Sequence, residues 1–260
     1  MKRRRFISLM AAAVPALPVA PGVRLIAHRG GVVDDTRAEN SAGAVEEAIA
    51  RGYWMVEVDV RRSRDGEPVL HHDNTLARYY GESKRVEEMR WSELQQLRAI
   101  PGGKPPLHFE ELCAICSGKI RLMLDLKGQW EPAFYQRLWR HIEQAKLLQP
   151  TWSLGGPAIR PLFDGKVMVS VNRQTLGAAL AAGEPVAERY FLFELGSAMQ
   201  GADIELARQH RIAPVAAINT FRYTMAKRDD WEGAKEDITR LRQLGVTDYQ
   251  VDSRYEPLFS

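Results

Sequence analysis

The chain has 260 residues, 45% of them apolar, and 36 basic against 33 acidic side chains give a net charge of +3. That length suits one barrel-sized domain, since α/β barrels run to about 250 residues. Lys2, Arg3, Arg4 and Arg5 supply the whole positive excess, so the remainder is nearly neutral and offers no basic face for nucleic acid.

Residues 1–20 read as an export signal. A basic head precedes the apolar run from Phe6 to Val14, and prolines and small residues follow, including Val14-Pro15-Ala16 and Val19-Ala20. The run is shorter than the roughly 20 apolar residues that a spanning helix needs. Arg3-Arg4-Arg5-Phe6-Ile7 resembles a twin-arginine signal. The expectation is an exported, periplasmic protein whose mature domain occupies residues 22–260, with no transmembrane segment.

From residue 22 onward, short apolar runs alternate with longer amphipathic ones. A strand is predicted at 23–28, a helix at 41–50 and a second strand at 54–60. The long connection 61–120 then holds a β-ribbon at 68–72, a helix at 91–97, the turn Pro101-Gly102-Gly103 and a helix at 107–116. A third strand at 121–126 and a helix at 131–145 follow. The fourth strand, 151–154, is short and runs into Gly155-Gly156, and a helix at 158–163 comes next. Strands at 167–171, 190–194, 214–218 and 249–252 alternate with helices at 175–182, 204–210 and 232–244. Eight strands with intervening helices predict a single-domain (β/α)8 TIM barrel with a short insertion between strands 2 and 3. Cys113 and Cys116 fall at helical spacing among apolar residues and read as core thiols, because two cysteines alone cannot complete a four-ligand zinc site.

Four polar clusters fall at or just beyond predicted strand ends, where barrel enzymes place their sites. His28-Arg29-Gly30-Gly31 offers a proton-exchanging ring, a guanidinium shaped for phosphate and two residues that let backbone approach closely. In Glu57-Val58-Asp59 the strand alternation turns both carboxylates into the barrel, which is costly unless a cation or donors compensate. Such oxygen donors suit Mg²⁺ or Ca²⁺, and a salt-bridged pair is the alternative. Of His71 and His72, adjacent on an extended segment, only one can join the site, and His71 reads as structural. Asp125 and Lys127 share a face; Asp125 can complete a three-carboxylate metal site and Lys127 can neutralise a phosphate, or the two can form a plain ion pair. Together the clusters hold what phosphodiester cleavage requires: charge stabilisation and groups that move protons.

With these motifs the chain resembles the glycerophosphodiester phosphodiesterase family. The resemblance rests on His28-Arg29-Gly30-Gly31, Glu39-Asn40-Ser41, Glu57-Val58-Asp59-Val60, Asp65-Gly66, Pro68-Val69, His72-Asp73, Leu76 with Arg78, Pro106-Leu107, Glu110-Glu111 and Asp125-Leu126-Lys127. Ile218-Asn219 and Val251-Asp252 resemble the family's last two strand ends more faintly. It implies that His28 and His72 are general acid and base, and that Glu57, Asp59 and Asp125 bind one divalent cation, Ca²⁺ or Mg²⁺. It also implies that Arg29 and Lys127 hold the phosphate while Glu39 and Asn40 frame the site. The implied reaction releases glycerol 3-phosphate and an alcohol from a small glycerophosphodiester; attack by the glycerol 2-hydroxyl can give a cyclic phosphate that water opens.

Four positions depart from that pattern. Ala38 stands where proline commonly precedes Glu-Asn, Asp125 stands where glutamate is commoner, and Ala216-Ala217 replaces an aromatic-Thr pair. Two other readings compete. A lysophospholipase D or sphingomyelinase D type of enzyme shares the barrel and the Asp-Leu-Lys strand, but Glu39-Asn40-Ser41 and Asp65-Gly66 favour the glycerophosphodiesterase. A non-catalytic phosphodiester-binding barrel should have lost a histidine or a carboxylate, and none is missing.

Overall fold

The computed structural model describes residues 22–260, so the expected signal segment lies outside the described residues. Strands covered on both faces read as nearly continuous apolar runs, as 25–27, 190–193 and 215–218 do here. In chain order the elements begin with β1 (Arg24–Ala27), α1 (Ala42–Ala50), β2 (Met55–Arg62), β3 (Pro68–Leu70), α2 (Ala77–Tyr80), α3 (Trp91–Leu94) and α4 (Phe109–Cys116). Next come β4 (Arg121–Leu126), α5 (Pro132–Gln144), β5 (Leu148–Ser153), β6 (Met168–Val171), α6 (Arg173–Ala181) and β7 (Tyr190–Leu195). The chain ends with α7 (Gly201–Gln209), β8 (Pro214–Ile218), α8 (Thr220–Met225), α9 (Asp230–Gln243), β9 (Asp248–Val251) and a 3-10 segment at Ser253–Phe259.

The sheet order is β1-β9-β8-β7-β6-β5-β4-β2-β3, and β1 also pairs with β2. Ile26 opposite Met55 and Ala27 opposite Val56 close the barrel. Eight strands run parallel, and β3 adds to β2 antiparallel, with Val60 opposite Leu70. The (β/α)8 expectation is borne out, with the insertion where it was expected. That insertion buries a small core of its own: Val69, Leu76, Val86, Met89 and Leu94.

Two apolar layers set the site's position. Ile26, Met55, Met123, Trp152, Phe191 and Val215 fill the lower barrel interior, where Trp152 stacks on Phe191 at 4.3 Å between ring centroids. Val56, Val58 and Val60 face outward into the shell shared with the helices. The alternation that buries these valines outward turns Glu57 and Asp59 inward, above the apolar plug. Helix α5 shows how the shell is filled. Pro132 starts it, and Phe134, Tyr135, Leu138, Trp139 and Ile142 form its buried stripe.

Local boundaries differ from expectation in physically readable ways. The segment expected as a helix at 158–163 is a 3-10 turn, Pro157–Phe163, because Pro161 lacks the N–H that an α-helix would use. Strand β5 starts at Leu148, earlier than 151, although Gln149-Pro150 reads locally as a turn. The helix at Trp91 is a single turn. Cys113 and Cys116 are buried thiols on α4, and burial pushes Cys116 up to about 12, which leaves it a poor nucleophile. No helix among the described residues is long and apolar enough to cross a membrane.

Candidate active site

The rim begins where β1 ends. Gly30 and Gly31 adopt φ of +80° and +131°, and a Cβ at Gly31 would lie 2.1 Å from the Ala44 carbonyl oxygen. Only glycine permits this approach, and through it the chain after β1 packs against the start of α1. Asn40 N donates to Arg29 O at 2.7 Å, and Val32 N donates to Ala44 O at 3.0 Å. Arg29 itself has φ of +52°, a conformation that costs energy for a side-chain-bearing residue and recurs at functional sites.

Arg29 reads across the whole rim. Its backbone N–H donates to Glu57 Oε2 at 2.8 Å, Nη1 donates to Glu39 Oε2 at 3.2 Å, and Nη2 lies 3.0 Å from His72 Nε2. A guanidinium only donates, so His72 accepts at Nε2 and carries its hydrogen on Nδ1, which faces Asp73 Oδ1 at 2.8 Å. Asp73 also takes two bonds from Arg78, at 2.6 and 2.9 Å, and Arg78 pairs with Glu39 as well. Burial would raise the Asp73 carboxyl, but Arg78 and His72 outweigh it and hold it at about 2. His71 turns away as expected: it is buried, and its Nε2 lies 2.8 Å from Thr75 O. The bend that presents His72 is clamped by Arg61, whose guanidinium donates to His71 O at 3.2 Å and His72 O at 2.8 Å.

Glu57 and Asp59 are each only 1% exposed. The β2–β4 register sets Asp59 beside Asp125. Among the described residues, ligand atoms of Glu57, Asp59 and Asp125 lie within 4.8 Å of one another, as do those of Glu39, His72 and Asp73. The second group is already neutralised by Arg29 and Arg78. The first has one ammonium: Lys127 Nζ lies 2.9 Å from Asp59 Oδ1 and 2.6 Å from Asp125 Oδ2. Three carboxylates against one ammonium leave two negative charges, which one divalent cation would balance, and all the donors are hard oxygens. Burial, then the Asp59 and Asp125 charges, push Glu57 well above the usual carboxylate range. Burial also opposes ionisation of Asp59, but Lys127 and the Asn40 amide keep it below its ordinary value. The residues present therefore fit a bound cation. Lys127, expected to hold phosphate, has its ammonium on the carboxylates, and those acids in turn raise it against the effect of burial.

The structure thus brings His28, Arg29, Glu39, Asn40, Glu57, Asp59, His72, Asp125 and Lys127 to one rim. It also places there residues that had no role in the reading of the motifs. Arg61 clamps His72, and Arg78 ties Glu39 to Asp73. Asp252, just beyond β9, lies 2.5 Å from His28 Nδ1 through its Oδ1. A cleft of about 520 Å³ opens beside His28 and Arg29, walled by Val33, Tyr79, Phe221 and Met225. Its volume is within the roughly 300–1,000 Å³ of small-molecule pockets.

The fold and rim define a (β/α)8 barrel with an acid–histidine–arginine site at the C-terminal ends of its strands. Residues 28–127, which carry that rim except for Asp252 and the β8–α8 wall, match the Glycerophosphoryl diester phosphodiesterase family, and the resemblance read from the motifs is borne out. The chain is 39% identical over 98 residues to Lysophospholipase D GDPD3 of Mus musculus, covering 38% of this chain and 26% of that protein. It spans less than half the length of the curated relatives it matches. A glycerophosphoryl diester phosphodiesterase crystal structure from Parabacteroides distasonis superposes with a TM-score of 0.72 at 22% identity, covering 91% of this chain and 86% of that one. An Oleispira antarctica phosphodiesterase in complex with the product sn-glycerol-3-phosphate superposes with a TM-score of 0.64 at 18% identity, covering 88% and 92%. At these identities the structural likeness shows the shared fold.

Proposed function

We propose that the chain hydrolyses glycerophosphodiesters to glycerol 3-phosphate and an alcohol, with one divalent cation, Ca²⁺ or Mg²⁺, on Glu57, Asp59 and Asp125. The observation that carries this reading is the meeting of two imidazoles with Arg29 beside a cluster of three carboxylates that holds one ammonium. A phosphodiester is an anion with no proton of its own to lose at neutral pH. It needs cationic partners for its oxygens and groups that move protons at the attacking and departing oxygens. Arg29 supplies a donor fork at the rim, held in place by Glu39, and exchanging Glu39 contacts for phosphate oxygens keeps its charge paired. His28 presents Nε2 for proton exchange, and His72 does so once Arg29 turns from it to phosphate; each ring has a carboxylate at Nδ1. When bound, the cation would polarise a phosphoryl oxygen and offset the charge that develops there. Support also comes from the Oleispira antarctica protein, whose bound product is sn-glycerol-3-phosphate.

The test is phosphorus NMR of the chain with glycerophosphocholine, with and without EDTA. Glycerol 3-phosphate should appear only when a divalent cation is present. Choline phosphate as product, or full activity after exhaustive chelation with no metal in the protein, would overturn the reading. The leader at residues 1–20 supports export, tested by finding a shortened protein in the periplasmic fraction.

A second reading, lysophospholipase D action, is favoured by the cleft. Val33, Phe221 and Met225 give it an apolar wall, and its arginines are already paired, Arg78 with Glu39 and Asp73 and Arg254 with Asp230. A diester carrying an acyl chain would bury that chain there, in keeping with the printed name of the Mus musculus relative.

A further inference from the structure

We propose that Asp252 is the positioning residue of His28, fixing the ring's tautomer and steadying the positive charge it acquires when Nε2 takes a proton. The proposal rests on the hydrolase reading for the purpose of that proton, but its geometry is independent of it.

Strands β9 and β1 are neighbours, with Ala27 opposite Val251. His28 and Asp252 are the next residues on these two parallel strands, so barrel closure itself sets them side by side across 224 residues of sequence. The Asp252 carboxylate uses both oxygens. Oδ1 faces His28 Nδ1 at 2.5 Å, and Oδ2 accepts the Thr220 backbone N–H at 2.6 Å, at the start of α8. Its own backbone N–H donates to Ile218 O at 3.2 Å. The group is therefore held by two strands and a helix start and has little freedom to turn.

An ionised carboxylate has acceptors only, so the shared hydrogen belongs to His28 Nδ1 and the lone pair to Nε2. Burial would favour the neutral acid, but the bonds from His28 and Thr220 outweigh it and keep Asp252 below the usual carboxylate range, hence an acceptor at neutral pH. His28 lines the cleft together with Arg29, and among the described residues its Nε2 has no hydrogen-bond partner. Whichever way the proton passes, the ring carries a positive charge at one stage of the turnover. A buried carboxylate at Nδ1 opposes the cost of that charge, as in other carboxylate–histidine pairs.

His72 is arranged differently. Its carboxylate, Asp73, is its chain neighbour and shares both oxygens with Arg78, while Arg29 already occupies Nε2. Asp252 serves no arginine among the described residues. The two histidines therefore have separate supports, and only that of His28 is assembled by closing the barrel.

The test pairs spectroscopy with kinetics on the full chain. With ¹⁵N-labelled histidine, the resonances lost in His28→Ala identify His28, and the wild-type ring should show hydrogen on Nδ1. In Asp252→Asn the side-chain amide can donate to Nδ1, which should move the hydrogen to Nε2. For glycerophosphocholine, Asp252→Asn should lower kcat about 10²-fold or more with KM within about threefold, and Asp252→Glu should recover part of the loss. The double variant Asp252→Asn with His28→Ala should be no slower than His28→Ala alone, because a support has nothing left to act on. An Nε2–H tautomer on wild-type His28 would overturn the proposal whatever the fate of the Asp252 variants. So would an Asp252→Asn kcat within about threefold of wild type, or losses that multiply in the double variant. If no diester is cleaved by the wild type, the hydrolase reading falls, while the tautomer measurement still decides the role of Asp252.

Discussion

Asn40 and Asp59 bind each other twice: Asn40 Nδ2 donates to Asp59 Oδ2 at 2.7 Å, and the Asp59 backbone N–H donates to Asn40 Oδ1 at 3.1 Å. Asn40 sits at φ +55°, which asparagine tolerates better than most residues, and it is 3% exposed. The pair ties the entry to α1 to the carboxylate cluster and fixes the direction of one Asp59 oxygen. Asn40→Ala leaves the Asp59 N–H buried and unpaired, at a cost of about 1–3 kcal/mol. The expected outcome is a Tm lower by several degrees and weaker binding of Mg²⁺ or Ca²⁺ by calorimetry. Unchanged Tm and cation affinity would show that the link is dispensable.

Glu57 is buried with, among the described residues, a single hydrogen bond to its carboxylate, from Arg29 N, and it lies beside two other acids. Its charge costs the bare fold stability and serves only when a cation is present. Glu57→Gln should therefore abolish diester hydrolysis yet melt no lower than wild type in EDTA. The Tm rise that Mg²⁺ or Ca²⁺ gives the wild type should disappear in this variant. A variant that is unstable in EDTA, or that keeps its cation-dependent Tm rise, would place the ion elsewhere.

The three histidines at the rim separate chemistry from structure. His28→Ala and His72→Ala should each lower kcat about 10²-fold or more, the usual size for acid–base groups. His71 is buried and bonded to Thr75 O, so His71→Ala should cost about 1–3 kcal/mol of stability while kcat falls much less. Equilibrium unfolding and steady-state kinetics on the same three variants check both halves. An essential His71 beside a dispensable His72 would mean that the wrong ring of the pair was assigned to the site.

What the sequence revealed follows from how far each interaction reaches along the chain. Glu57 and Asp59 were readable as inward-facing because a strand's period of two is local, and the outward valines mark its other face. The same alternation left room at the rim for only one of His71 and His72, and the resemblance of His72-Asp73 to the family motif chose His72. The supports were not readable, because they depend on long-range register. Asp252 reaches His28 only through the β9–β1 pairing, and Arg61 clamps His72 across the bend after β3. Lys127 was placed correctly on the face of Asp125, but its hold on Asp59 needs the β2–β4 register. The short α8 escaped notice because six residues carry no clear helical period, yet Phe221 on it walls the cleft.

The Asp73 carboxyl, held at about 2 by Arg78 and His72, makes stability depend on acid. A depressed carboxyl stabilises the fold above its unfolded value of 3.8, and the contribution is lost as pH falls through about 2. The full shift would correspond to about 2.5 kcal/mol, but the group is only part-buried and solvent screening reduces this to about 1 kcal/mol. Urea unfolding at pH 5 should find Asp73→Asn less stable by about that amount, with the gap closing as the pH is lowered toward 2. A gap that stays constant with pH would mean that the charge of Asp73 is not what stabilises the loop.

Substrate range is set by the cleft beside His28. Small headgroups should differ little. The fixed charges of Arg29 and the carboxylate site lead to that outcome for glycerophosphocholine, glycerophosphoethanolamine and glycerophosphoglycerol, with kcat values within about tenfold, or about 1.4 kcal/mol. Bis(p-nitrophenyl) phosphate, which lacks glycerol, should be cut far more slowly. The apolar wall adds a contact that these polar headgroups do not use. Arg29 and Arg222 already lie over the Phe221 ring, at 5.8 and 4.5 Å from its centroid, so a cationic headgroup gains little there. An acyl chain gains burial, and a phenyl ring contributes about 1.5–3 kcal/mol when fully buried. Because that contact is made with the acyl chain and not with the reacting atoms, it acts on substrate and transition state alike and appears in KM more than in kcat. Phe221→Ser should therefore raise KM for lysophosphatidylcholine about tenfold more than KM for glycerophosphocholine, with kcat for both nearly unchanged. Equal effects on the two substrates would assign the cleft to the glycerol phosphate half they share, and no turnover of lysophosphatidylcholine by the wild type would confine the enzyme to the smaller diesters.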